Sequence, residues 1–276
     1  MRQGAALAPP APGAYLGCAP DRTPAGAVRP AGEQSVRDLW ASLRGAGRPA
    51  TPAPTAAATS APIPTPASAP ARRAWSLDEP GARRRAALHY HLLDHAVLRH
   101  GWRNMHEVAP GVWRSNHPTH ARLHDLKARG IRAVLNLRGA EETPPFLFEH
   151  ESCRALDLDL RSVKLAARAA PRKGELLKLF DAFQSLPRPF LMHCKSGADR
   201  AGLAAALYLL AHGAPLDVAR RQLSWRFLHL RHSRTGILDH VLDLYGARLR
   251  QGPIGIEDWV RDEYDRDAAA ASWRRR

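Results

Sequence analysis

Proline divides this chain into two unequal parts. Fourteen of its 23 prolines fall within residues 1–82, among long Ala/Pro/Thr stretches such as Pro49 to Pro70. Such a stretch offers too little bulky apolar surface to offset the entropy lost on ordering. Residues 1–82 are therefore expected to be disordered, and a folded domain is expected over 83–276. A domain of about 190 residues is long enough for one substantial core.

Charge is concentrated in that second part. Residues 83–276 hold 33 basic and 21 acidic side chains, so they carry +12 of the chain's net +15. A basic domain attracts anions in general: phosphates, nucleic acid or acidic lipid surfaces. No nucleic-acid motif accompanies the charge, and Trp225 and Phe227 read as core aromatics on a helix rather than a base-stacking patch. No nucleic-acid partner is expected. Three cysteines, Cys18, Cys153 and Cys194, are too few and too odd in number for a disulfide framework. Pro9, Pro10 and Pro12 interrupt any apolar leader, and the longest apolar run, Ala201 to Ala211, is too short to cross a bilayer. These features point to a cytoplasmic protein without a transmembrane segment. The segment Arg83–Leu98 is basic first and apolar later, which leaves peripheral membrane contact open beside simple packing on the domain.

Apolar periodicity gives an alternation of elements. Helical spacing runs from Ala86 to Leu98. Strands are expected at Val112–Arg114, Ile131–Leu137, within Leu156–Leu165, and at Pro189–Met192. Helices are expected from Thr119, a plausible N-cap, to Arg129 with Gly130 as its stop, and over Phe146–Ala155, Pro171–Ser185 and Ala201–His212. Three more follow at Leu216–Ser224, Thr235–Arg248 and Ile256–Tyr264. Strands alternating with helices predict an α/β domain with a central sheet flanked by helices.

The informative segment is Phe190-Leu-Met-His-Cys-Lys-Ser-Gly-Ala-Asp-Arg-Ala-Gly-Leu203. A strand runs into Cys194, and a helix leaves from Arg200 onward. The intervening loop, Lys195, Ser196, Gly197, Ala198, Asp199 and Arg200, thus lies at a strand's carboxyl end and a helix N-terminus, where anions bind. Successive backbone N–H groups can surround one phosphate there. The same groups favour a thiolate at Cys194, the candidate nucleophile for attack on phosphorus. Arg200, six residues on, can clamp two phosphate oxygens with its planar fork. Gly197 permits the tight turn. Asp199 is a candidate to orient Arg200 or to protonate the leaving oxygen. Lys195 adds positive charge at the rim, suiting a highly anionic substrate or simply pointing into solvent. A metal reading of His193–Cys194 is poor, because adjacent strand residues diverge.

His-Cys-x5-Arg between a buried strand and a helix resembles the signature of protein-tyrosine and dual-specificity phosphatases. The wider sequence is similar to a bacterial branch of that family at Val112-Trp-Arg-Ser-Asn-His-Pro118, at Gly130-Ile-Arg-Ala-Val-Leu-Asn-Leu-Arg-Gly139 and at Thr235-Gly-Ile-Leu-Asp239. The likeness extends from about Trp102 to Tyr264. It implies a mixed central sheet, phosphomonoester substrates, a phosphocysteine intermediate, and no metal or other cofactor. It also implies that His193 tunes the cysteine. The substrates it implies are phosphotyrosine, phosphoserine or phosphothreonine proteins, or phosphoinositides and inositol phosphates.

Two departures from the family pattern stand out. Ala201 replaces the Ser or Thr that follows the arginine, and the loop Ala166-Ala-Arg-Ala-Ala-Pro171 lacks the usual acid. Asp199 is the nearest replacement, with Asp157, Asp159, Glu141 and Glu142 as weaker candidates. Arg168 and Arg138 are candidate second anion contacts, and Cys153 a candidate disulfide partner for Cys194. These departures keep a second reading open, a weakly catalytic module that binds phosphorylated partners.

Overall fold

The computed structural model describes residues 75, 77–99 and 101–275. The proline-rich region up to residue 74, with Cys18, lies outside the described residues. Among the described residues the chain is already helical before Arg83. Helix α1 spans Pro80–Leu88, with Pro at its first turn, and the Trp75 ring lies tilted against His89 with centroids 5.0 Å apart. The single helix expected to Leu98 is broken. A π turn, His89–Leu93, ends at Asp94, and His95 takes a left-handed φ of 56° before a 3-10 turn at Ala96–Arg99.

Five strands form one mixed sheet: β1 His106–Ala109, β2 Val112–Asn116, β3 Ala133–Asn136, β4 Asp159–Ser162 and β5 Phe190–Cys194. Their order is β1-β2-β5-β3-β4; β1 is antiparallel to β2, and the other neighbours are parallel. The β1–β2 hairpin turns at Pro110–Gly111, where Gly111 has φ 74°. Sequence periodicity anticipated β2 but not its partner β1, whose half-exposed His-Glu-Val-Ala has no apolar run. The parallel strands pass through the centre, so β5 is buried along its whole length.

The helices follow the expected punctuation. Helix α2, His120–Ala128, is capped by Thr119, whose Oγ1 accepts from Arg122 N, and Gly130 stops it at φ 91°. Helix α3 is Pro144–Ala155, α4 Lys173–Ser185, α5 Asp199–Ala211 and α6 Leu216–Arg220. Then come α7 Ile237–Leu249, the one-turn α8 Ile256–Asp258 running into a π turn, and α9 Arg266–Arg274. Alternation along β5 divides the interior. Phe190, Met192 and Cys194 face a large core shared with α4, α5 and α7, whereas Leu191 joins Leu123, Leu126, Val134 and Cys153 in a smaller core under α2 and α3. No helix among the described residues is long and apolar enough to cross a membrane.

Candidate active site

Cys194 ends β5, and its loop folds back before α5 begins at Asp199. Every carbonyl of the first four loop residues is tied from outside. His117 N donates to Lys195 O at 3.3 Å, and Asn104 Nδ2 donates to Ser196 O at 3.0 Å. Arg114 Nη2 donates to Gly197 O at 2.7 Å and Ala198 O at 3.0 Å. With the carbonyls held outward, Gly197 N donates to Cys194 Sγ at 3.2 Å, and Ala198 N donates to Ser196 Oγ at 3.3 Å. Gly197 has φ 76°, and a Cβ there would meet Asn116 N at 2.7 Å, so only glycine lets the loop lie against the end of β2. The sulfur thus accepts from a backbone N–H close to the start of a 13-residue helix, a setting suited to negative charge.

Arg114 is the strut of this arrangement. Its side chain is fully buried, its Nη1 donates to Gln222 O and Oε1, and its guanidinium lies 4.1 Å from the Phe227 ring centre. Burial lowers its pKa to about 10, opposed by the neighbouring Cys194 and Asp199, so it stays charged at neutral pH. Neither Arg114 nor Asn104 stood out in the sequence as a support of the site. The available signal was a polar run, Arg114-Ser-Asn-His117, ending a buried strand.

His193 and Cys194 point to opposite sides of the sheet. The His193 ring is buried, with Nδ1 3.4 Å from Cys194 O and Nε2 2.5 Å from Glu149 Oε1 on α3. His117 packs edge-on against it at 4.9 Å. Burial, then the charges of His193 and Arg138, hold His117 well below its ordinary range, so it is neutral.

Asp199 is held by a different imidazole. His229 Nδ1 lies 2.8 Å from Asp199 Oδ1, and its Nε2 lies 2.6 Å from Asp239 Oδ2. Burial alone would lower the His229 pKa, but the two carboxylates outweigh it and raise it to about 9. Asp199 therefore has a cationic partner at neutral pH. That geometry suits loop positioning and not the proton-donor part considered for it from the sequence.

A cavity of about 300 Å³ has Asp94, His117, Arg138, Glu141, Lys164 and Arg200 in its wall, and Arg200 is the residue of the Cys194 loop that reaches it. Arg200 makes no hydrogen bond or ion pair with another described residue, so its fork is available. The rim cations are not. Asp94, buried below the 3-10 turn, accepts from Arg138 Nη2 at 2.7 Å and Arg99 Nη2 at 2.7 Å, and Lys195 Nζ stands 3.5 Å away. Burial would raise the Asp94 pKa, but Arg138 and Arg99 together lower it, so it is ionised. Lys195 and Arg138, read as anion contacts, thus share one carboxylate that sequence reasoning missed. Lys164 is likewise paired with Glu141.

The remaining expectations separate cleanly. Of the weaker acid candidates, only Glu141 lines the cavity; Asp157 is fully exposed and Asp159 pairs with Arg161 at 3.3 Å. Arg168 is exposed and outside the cavity wall. The loop before α4 is pinned by Tyr264 Oη donating to Pro171 O and Arg266 Nε donating to Ala170 O. Cys153 is buried in the smaller core, across the sheet from the Cys194 side, and its thiol is pushed up to about 12 by burial and then Glu149, which ill suits a disulfide partner. Trp225, expected in the core, is 81% exposed on a 3-10 turn, whereas Phe227 is buried under Arg114.

The sequence model of the PTP-SAK family, described as a Swiss Army Knife protein, DSP-PTPase phosphatase domain, matches residues 104–236. No curated protein matches the chain. Among solved structures, a DUF442 protein from Shewanella putrefaciens CN-32 is similar at 20% identity, covering 54% of this chain and 95% of its own, with a TM-score of 0.44. The core catalytic domain of the PP-IP phosphatase SIW14 from S. cerevisiae shares 18% identity over 55% of this chain and 95% of its own, at 0.42. TpbA from P. aeruginosa, in complex with pTyr, shares 20% over 54% and 94%, at 0.43. The matched segment runs from Asn104 through the Cys194 loop to Gly236, and over that segment the chain is a phosphatase domain of the protein-tyrosine and dual-specificity type.

Proposed function

We propose that the protein hydrolyses phosphomonoesters through a phosphocysteine intermediate. The observation that carries this reading is the cradle itself: four outward-tied carbonyls, a sulfur accepting from Gly197 N, and at the loop's end an unpaired Arg200 that also lines the adjoining cavity. The Cys194 thiolate attacks phosphorus, the S–P bond forms, and the P–O bond to the leaving group breaks. Arg200 and the loop N–H groups hold the equatorial oxygens as charge spreads over them. The departing oxygen takes up a proton as it leaves, and both carboxylates considered for that donation near the site have cationic partners, Asp199 in His229 and Glu141 in Lys164. Water then attacks the phosphocysteine, releasing inorganic phosphate and the thiolate. Ala201 is fully buried and offers no hydroxyl to the leaving sulfur, so this second step is the slower one.

The pairing of Lys195 and Arg138 with Asp94, and of Lys164 with Glu141, leaves Arg200 as the uncompensated cation among those that line the cavity and its rim. That balance favours a substrate bearing a single phosphate, as on a phosphorylated protein, over a polyphosphorylated inositol. A reducing cytoplasm fits a catalytic thiol. Hydrolysis of an aryl phosphate, with phosphate release measured, tests the reading. Wild type should turn over and Cys194→Ser should lose all turnover while still binding the anion. Binding without turnover in both proteins would favour instead a module that captures phosphorylated partners.

A further inference from the structure

Glu149 is a buried carboxylate that the proposed chemistry does not use. It lies on the inner face of α3 with its side chain fully inaccessible, and neither oxygen receives a hydrogen bond of ordinary geometry. A carboxylate removed from water without a partner is strongly unfavourable. The group that answers it is His193, whose Nε2 stands 2.5 Å from Oε1. The other ring nitrogen faces Cys194 O at 3.4 Å, and a carbonyl oxygen can only accept. An acceptor at each nitrogen calls for a proton on each.

The neighbours decide between this pairing and a bound cation. His117, Glu149 and His193 bring three ligand-type atoms within 4.8 Å. Arg138 Nη1, however, donates to His117 Nδ1 at 3.3 Å, which leaves the neutral ring's proton on Nε2. Arg138, Arg99 and Arg122 all press positive charge on His117. Such a field opposes a metal ion and favours a negative Glu149. The remaining titratable groups around the pair are Tyr90, raised by burial with a contribution from Glu149, and Cys153, raised to about 12. Neither is charged at neutral pH, so Glu149 is the one anion facing the ring.

We propose that Glu149 is a positioning residue for Cys194, acting through His193: its carboxylate fixes the ring doubly protonated and aimed at the Cys194 carbonyl, keeping a positive charge behind the thiolate. The proposal deepens the catalytic reading and rests on Cys194 being the nucleophile. A side chain 45 positions earlier, on a helix of the smaller core, thereby sets the reactivity of a sulfur that faces the larger one.

Two measurements on the full chain test it. Nitrogen NMR of the histidine-labelled wild type, with His193 assigned by its loss in His193→Asn, should show both ring nitrogens protonated near neutral pH. A neutral His193 ring overturns the proposal, and this readout needs neither a Glu149 variant nor turnover. In Glu149→Gln, iodoacetamide alkylation of Cys194, followed by mass spectrometry, should fall about tenfold near pH 6 and stay within about twofold of wild type near pH 9, the signature of a changed ionisation. An equal change at both pH values, or none, marks a merely structural residue and overturns it. Stoichiometric zinc in purified wild type that disappears in Glu149→Gln also overturns it. Failure of the catalytic reading is separable: Cys194→Ser that still releases phosphate would remove the nucleophile while leaving the ring's protonation as read.

Discussion

Two buried histidines flank the Cys194 loop, and they are partnered differently. His229 lies between two carboxylates at 2.8 and 2.6 Å, both of good hydrogen-bond geometry, and supports the helix side of the loop through Asp199. His193 has one carboxylate at 2.5 Å and one carbonyl at 3.4 Å, and supports the strand side through Cys194. The first assembly is overdetermined and carries net negative charge; it is built to hold position. The second sets one carboxylate against one ring. The same imidazole chemistry thus gives a doubly held fastening on the helix side of the loop and a single close pairing on the strand side.

The largest effect should come from breaking the fastening. His229→Leu leaves two partly buried carboxylates without their shared partner and should cost about 3 kcal/mol in chemical denaturation. Its pH dependence identifies the cause. A histidine whose pKa rises from 6.5 unfolded to about 9 folded contributes stability that is fully present below about 6.5 and lost as pH climbs through about 9. Wild type should therefore lose stability, by about 3 kcal/mol on the linkage relation, across that window, and His229→Leu should show no such loss. Equal alkaline losses in both proteins would remove His229 as the source.

A smaller effect is expected at the strut between the two sides. Arg114→Lys keeps the charge but cannot reach Gly197 O, Ala198 O and Gln222 together. Turnover of an aryl phosphate should fall about a hundredfold, since loop displacements near 1 Å are felt on that scale. Retained turnover would show that the carbonyls are held well enough without the fork. Least affected should be Asp94→Asn, which frees Lys195 and Arg138. Inhibition by inorganic phosphate should strengthen about threefold, an amount typical of a partly exposed charge contact. Unchanged inhibition would mean that those cations do not reach the bound anion.

The portion of this site that could be read from sequence is the portion that is local. Strand, Cys194, Gly197, Arg200 and the apolar helix lie within one continuous segment, and each residue's demand is visible there. The supports were not legible because they arrive from far along the chain. Asn104 reaches Phe227 across 123 positions, Arg114 reaches Gly197 across 83, and Asp94 meets Arg138 across 44. No periodicity signals a buried arginine whose partners are backbone carbonyls. Fold-level reading failed where conformation overrode spacing. The apolar rhythm of Ala86–Leu98 promised one helix, yet His95 at positive φ turns the chain and delivers Asp94 to the rim. Trp225 and Phe227, two residues apart on a tight turn, take opposite environments, which helical spacing alone does not foresee.

The four outward-tied carbonyls make the cradle a finished mould before any ligand arrives. Its curvature is fixed by neighbours on β2 and by Gly197, so a guest must match it and cannot reshape it. Tetrahedral oxyanions present oxygens in several directions at once and fit such a bowl, whereas flat anions leave part of it empty. Selection by contour, ahead of selection by charge, is the consequence of having settled the loop's shape during folding.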